Sequence, residues 1–300
     1  GTSTVSACAK TNLTYDGTTL TVGSKATIGT SQTNTGTLSS IAGGLSNTIL
    51  SSGGCSFIGG GKNNSNGSNS SFIGGGATNT IISFGYCSNI VGGQNNYIYN
   101  TYSSIVGGAY NCINRPVMST TNYSFIGGGC FNKITGSFSF IGGGSANSIS
   151  DTDSGMCPMT SIIGGGCSNE ICAHRSGILG GRKNLVSGNH SFIVGGQCNT
   201  ASAACTFIGG GEKNFITSQN TGFSLIVGGR CNTISATYQN NSIVGGQSNL
   251  IGTGGAGGGF IGGGSSNTIS SNYSDNNSIV GGNNNTISNC YGSGGSNIIA

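Results

Sequence analysis

Apolar positions along most of this chain come in short, regularly spaced pairs. Residues 124–134, SFIGGGCFNKI, show the pattern: an apolar pair, a run of glycine, two variable residues, an asparagine and a further isoleucine. Anchored on that asparagine, the pattern recurs fifteen times, at Asn47, Asn64, Asn79, Asn96, Asn111, Asn132, Asn147, Asn169, Asn184, Asn199, Asn214, Asn232, Asn249, Asn267 and Asn285. Spacings run from 15 to 22 residues, so the minimal unit is 15 residues and the rest is insertion. Six residues before the anchor stands Ile in all fifteen units, and three and four before it stands Gly in all fifteen. Two after it stands Ile in twelve, with Val186, Ala201 and Asn66 as the exceptions.

A 15-residue unit cannot enclose an apolar face by itself, but units stacked at about 4.8 Å per strand share one continuous core. The pattern therefore predicts an all-β fold, a parallel β-solenoid (β-roll) of about fifteen 15-residue coils. Ser-Phe-Ile-Gly is the first strand, the glycines turn a corner, and Asn-x-Ile is the second strand. Glycine at the corner permits positive φ or close approach of stacked backbones. The Asn side chain either runs as an amide ladder along the stack or caps its own turn; Asn47, Asn79, Asn132, Asn147, Asn184, Asn214, Asn249 and Asn285 are its clearest members. Every insertion falls between the second strand and the next Ser, which places all of them at one corner.

Residues on either side of the constant Ile share a face, since side chains alternate along a strand, and their sizes are coupled. Phe57, Phe72, Phe125, Phe140, Phe207 and Phe260 each have Gly two residues on, whereas Val91, Val106, Val244 and Val280 follow Asn or Ser. Ile162 and Leu179 obey the same rule with Gly164 and Gly177; Phe192 and Leu225 are the two places where both positions are bulky. Such volume control predicts close packing. With Ile inside the coil, these fourteen side chains form an outward row that calls for a partner, and a homo-oligomer along the stack is the expected one. The alternative is a wider coil lined by Phe and Val with Ile facing out.

Composition narrows the classes further. The chain has 60 Gly, 5% charged residues, no Trp and two Pro in 300 residues. Glycine without a three-residue period excludes collagen, and the even scatter of Ile, Val and Phe argues against disorder. A net charge of +4 rests on ten dispersed Lys and Arg, so neither nucleic acid nor membrane insertion is expected. Twelve cysteines form no CxxC pair; their even number is compatible with disulfides, while Cys130, Cys167, Cys198 and Cys231 sit at corners of non-adjacent units, where free thiols are the default reading.

The repeat resembles the left-handed parallel β-roll heads of trimeric autotransporter adhesins, and related trimeric fibres of phages and large viruses. Those heads repeat Ser-x-apolar-x-x-Gly-x-x-polar-x-apolar with one coil per repeat, and the match covers residues 39–287. The resemblance implies a homotrimer at a cell or virion surface. It departs in having Gly, as at Gly128, where the heads usually place an inward Ile. Residues 12–29, NLTYDGTTLTVGSKATIG, resemble connectors of tail fibres, with Asp16-Gly17 suited to a hairpin turn. Residues 1–38 are accordingly expected to form a strand-rich connector or N-terminal cap with one degenerate coil, marked by Ile28 and Asn34. Residues 39–300 are expected to form the solenoid, which is expected to continue beyond residue 300.

Candidate chemistry is sparse. Asp151 and Asp153 are the one close pair of acids, in the longest insertion; a solvated loop fits them better than a glycosidase pair. His174 and His190 lack ligand-spaced partners, so neither metal nor cofactor is expected. The insertions hold Tyr99, Tyr102, Tyr123, Tyr238 and Tyr273, which with Asp151 and Asp153 are candidate recognition groups for a surface receptor or glycan; edge decoration is the equal alternative. The expected function is a non-enzymatic, extracellular or virion-surface fibre segment, a spacer of roughly 70 Å at about 4.8 Å per coil. A self-assembling filament stacked through uncapped coils is the second reading. An ice-binding solenoid is a poor third, because the Thr row after the anchor Asn is broken by Tyr97, Lys133, Glu170 and Phe215.

Overall fold

The computed structural model describes residues 13–15, 20–22, 26–82, 86–114, 123–150, 160–217, 222–237, 239–252, 257–271, 276–289 and 295–300. Asp16, Gly17, Asp151, Asp153, Tyr238 and Tyr273 lie outside the described residues. The chain divides into two compact units, Gly1–Asn111 and Cys112–Ala300. Both are parallel β-solenoid, with about 14 turns in all and a repeat of about 17 residues. Among the described residues there is no helix.

In the first unit, Leu13–Tyr15 and Leu20–Val22 pair antiparallel, Thr14 opposite Thr21. The coils begin at Ala26–Thr27. Each coil contributes one two-residue strand to a first sheet, such as Phe57–Ile58 beside Phe72–Ile73, and one to a second, such as Ser65–Asn66 beside Thr80–Ile81. All these pairings are parallel and in register. The second unit repeats the scheme, from Phe125–Ile126 beside Phe140–Ile141 in its first sheet to Thr268–Ser271 beside Thr286–Asn289 in its second. Between the two strands a third rung joins successive coils through one corner residue, as in Arg182, Gln197, Glu212 and Arg230.

Two-residue strands leave one side chain in and one out. The constant Ile of the first strand and the Ile after the anchor Asn both point inward, and from Ile41 to Ile279 every one of them is fully buried. The alternative with Ile outside is thereby excluded. Each fully buried Ile contributes about 1.5–3 kcal/mol relative to exposure, and ladder hydrogen bonds satisfy the backbone between them.

The anchor asparagine does both things open to it. Asn64 Nδ2 donates to Gly60 O of its own corner at 2.9 Å and to Gly76 O of the next coil at 3.0 Å, while its Oδ1 accepts the backbone N–H of Asn79 at 3.0 Å. The same triad recurs at Asn79, Asn184, Asn199 and Asn249. These side chains are wholly buried, and an unpaired backbone N–H beside them, such as that of Asn79, would cost about 1–3 kcal/mol.

The serine before the first strand makes a second ladder at the opposite corner. Ser176 Oγ donates to Gly188 O at 3.1 Å and accepts the Ser191 N–H at 3.2 Å; Ser191 Oγ then donates to Ala203 O at 2.8 Å and accepts the Thr206 N–H at 3.0 Å.

The degenerate first coil exists, but in a register different from the one marked by Ile28 and Asn34. Thr27 pairs with Ile41 and Thr33 with Thr48, so Thr27 takes the register place of the inner Ile while remaining exposed, and Ile28 is 61% exposed. Gln32 stands where later coils have Asn: its Oε1 accepts the Asn47 N–H at 2.8 Å and its Nε2 donates to Gly43 O at 3.1 Å. This corner is one residue shorter, with two residues between Thr27 and the rung residue Thr30 against three between Ile41 and Leu45. Asn34 falls in the inner Ile position and is satisfied by Ser39 and by the Ala26 carbonyl.

Candidate interaction face

Among the described residues, the outer side of the first sheet carries a row of exposed apolar side chains in each unit. In the first unit it carries Phe57, Phe72, Val91 and Val106; in the second, Phe140, Ile162, Leu179, Phe192, Val194, Phe207, Val227, Val244, Phe260 and Val280, all exposed. Phe125 and Leu225 are half-buried in the same row. Rings on neighbouring coils stack, Phe57 on Phe72 at 5.8 Å and Phe125 on Phe140 at 5.4 Å between centroids, in the offset range in which aromatic pairs attract.

The size coupling along this face has an intramolecular cause. Where Phe precedes the constant Ile, its ring lies over its own glycine two residues on: a Cβ there would be 3.2–3.6 Å from the ring and 2.2–2.4 Å from a carbonyl oxygen of the next coil, at Gly59, Gly74, Gly127, Gly142, Gly209 and Gly262. Phe192 cannot follow this rule, because Val194 occupies that place. Its ring covers Gly177 of the preceding coil instead, where a Cβ would come within 2.2 Å of it. The coupling is therefore met within one chain, and what remains for a partner is the residual exposure of the row.

A second outward column runs two residues before each first strand. Leu38, Cys55, Ser70, Cys87 and Tyr102 in the first unit, and Tyr123, Phe138, Arg175, His190, Cys205 and Phe223 in the second, all have φ between 35° and 60°. Such backbone costs about 1 kcal/mol or more for a non-glycine residue. It is held by ladder bonds, as from the Cys55 N–H to Thr37 O at 2.8 Å and the His190 N–H to His174 O at 2.9 Å. Leu38, Phe138 and Phe223 are exposed here. Sequence reasoning missed this column, although a constant offset from the Phe-Ile pair would have found it.

Where the two columns meet around Gly177, a shallow groove of about 510 Å³ is lined by Phe138, Phe140, Ile162, Arg175 and Phe192, with Thr160, Ser161 and Ser176. Arg175 Nη1 lies 3.3 Å from His190 Nε2. Of the tyrosines singled out as recognition groups, Tyr102 and Tyr123 are exposed on the turn column, Tyr123 stacking on Phe138 at 5.4 Å, and Tyr99 is half-buried. They belong to the edge of the apolar face, and the structure does not gather them into a separate site.

The outer side of the second sheet is mixed: Lys133, Ser148, Glu170, Leu185, Thr200 and Phe215 follow one another. Burial pushes the thiols of Cys112 and Cys172 on this side upward; Lys133 on the neighbouring coil partly offsets this at Cys112, and a Ser150 hydrogen bond does so at Cys172. The nine described cysteines are free thiols. Among the described residues, no three of His, Cys, Asp and Glu gather into a metal-binding group. At the rung corner Glu212 meets Arg230 at 3.6 Å and Lys213 at 3.9 Å, exposed pairs worth little. No protein-family model matches the chain, and no curated protein is detectably similar to it.

Proposed function

We propose that this chain is a non-enzymatic structural segment of a fibre at a cell or virion surface, assembled from identical copies and serving as a stiff spacer. The observation that carries the reading is the outer face of the first sheet, an apolar row in each unit on a scaffold whose core and ladders repeat coil after coil. Soluble proteins rarely leave a row of that length in water unless something covers it. Uniform ladders of buried Asn and Ser also resist local opening, because each rung is bonded to the next; that is what a spacer needs. The resemblance to trimeric autotransporter heads and viral fibres favours three copies. The turn column with Tyr102 and Tyr123, and the corner insertions with Asp151, Asp153, Tyr238 and Tyr273, are the surface that would meet a receptor or glycan.

Native mass spectrometry and sedimentation of the intact chain test this. A trimer is the expected species; a concentration-dependent ladder of sizes would favour the filament, and a monomer at micromolar concentration would remove the fibre reading.

A further inference from the structure

Beside the apolar row runs a strip of glycine that the single chain does not require. The glycine four residues before each anchor Asn occurs in all fifteen coils, yet a Cβ at Gly143, Gly180, Gly195 or Gly245 would meet nothing within 4 Å, and φ there lies outside the left-handed region. Glycine in extended backbone costs roughly 0.5–1 kcal/mol relative to alanine, a penalty borne at these four corners with no return inside the chain; at Gly128 and Gly210 of the same strip φ is 155° and 159°. No charged residue stands in the strip or in the adjoining row of the second unit, from Phe125 to Val280, as in the cores of protein interfaces.

We propose that the first-sheet face of the second unit seats a further copy of this chain, whose ridge of Phe, Val and Leu side chains lies on the bare glycine strip. The proposal rests on the self-association argued above and specifies its contact. A copy of the same chain is the occupant because its ridge repeats with the same strand spacing of about 4.8 Å, so ridge and strip match at every rung. The area suffices. Ten exposed row residues in this unit are 37–56% open, and at ~70 Å² each they offer ~700 Å², close to the ~800 Å² per partner of a stable interface. Backbone-to-side-chain contact over the strip adds to that.

The test is a chain carrying Gly143→Gln, Gly180→Gln, Gly195→Gln and Gly245→Gln, studied beside the unaltered chain by circular dichroism and native mass spectrometry. The expected result is an unchanged β spectrum, with self-association weakened more than tenfold and the melting point lowered only toward the value the unaltered chain reaches on dilution. If the unaltered chain is an oligomer and the variant keeps the same mass on dilution, the strip is not the contact, while self-association stands. An unaltered chain that is monomeric overturns both. A variant that does not fold also overturns the proposal, since its premise is that the strip is free within one chain.

Discussion

Two glycine columns stand side by side at every corner, identical in the sequence and opposite in cause. At Gly181 φ is 89° and a Cβ would lie 2.2 Å from Gly196 O; at Gly180 next to it a Cβ meets nothing within 4 Å. The first glycine is dictated by the coil, because its backbone is left-handed and the coil above leaves no room. The second is compatible with any small residue as far as one chain is concerned. Constancy along the repeats therefore has two sources, the geometry of stacking and the demands of whatever lies outside, and only coordinates separate them.

The sharpest test of that contrast is a pair of alanines. Gly181→Ala is expected to destabilise the second unit by about 3 kcal/mol or more, since backbone must move and a strained φ must be kept. Gly180→Ala is expected to leave stability unchanged or raise it by up to about 1 kcal/mol, both read from denaturant midpoints. Equal effects would erase the distinction between the columns.

Next in size is the ladder residue between them and the core. Asn184→Ala leaves Gly180 O and the Asn199 N–H without their partner and takes one of two donors from Gly196 O, which keeps the Arg182 N–H, an expected loss of about 1–3 kcal/mol, chiefly from the buried Asn199 N–H. Hydrogen exchange should quicken at the coils holding Asn169, Asn184 and Asn199 and spare distant ones; uniform protection would show that the ladder adds nothing locally.

On the outward side, replacing Phe125, Phe140 and Phe207 with Ser should release single chains while costing the coils about 1 kcal/mol or less per ring, because each ring is only partly covered. Retention of the native mass would remove this row from the assembly.

The smallest effect concerns thiols. Cys112 and Cys172, whose pKa values burial raises, should alkylate more slowly near pH 8 than exposed Cys55, Cys87 and Cys167, since the thiolate is the reactive form. A raised folded pKa also means that their stabilisation is complete below the ordinary thiol pKa and is lost as pH rises through the raised one. Equal alkylation rates across the five would contradict the burial.

Much of this was legible at the level of pattern, for a physical reason: a stacked coil repeats its environment, so each position's chemistry is sampled many times along one chain. Inward Ile and the two strands per coil all follow from period and alternation. The first coil shows the limit. Ile28 and Asn34 satisfy the spacing, yet Thr27 and Gln32 hold the equivalent places, because this corner is one residue shorter. The Phe–Gly coupling shows another, for its pattern reads as packing against a neighbour, while in the structure a Cβ at those glycines would first meet a carbonyl oxygen of the next coil, at 2.2–2.4 Å.

What the sequence determined by itself is thus everything that depends on recurrence: a parallel solenoid, its core line, and the corners that glycine must turn. What only the tertiary structure decided depends on direction and on free space. It decided that Phe192 leans over Gly177 and not over Val194, that the residue two before most first strands faces out in a left-handed turn, and that one of two constant glycines, as at Gly180, has nothing above it. A one-dimensional repeat records which residue recurs; it carries no measure of the room around it.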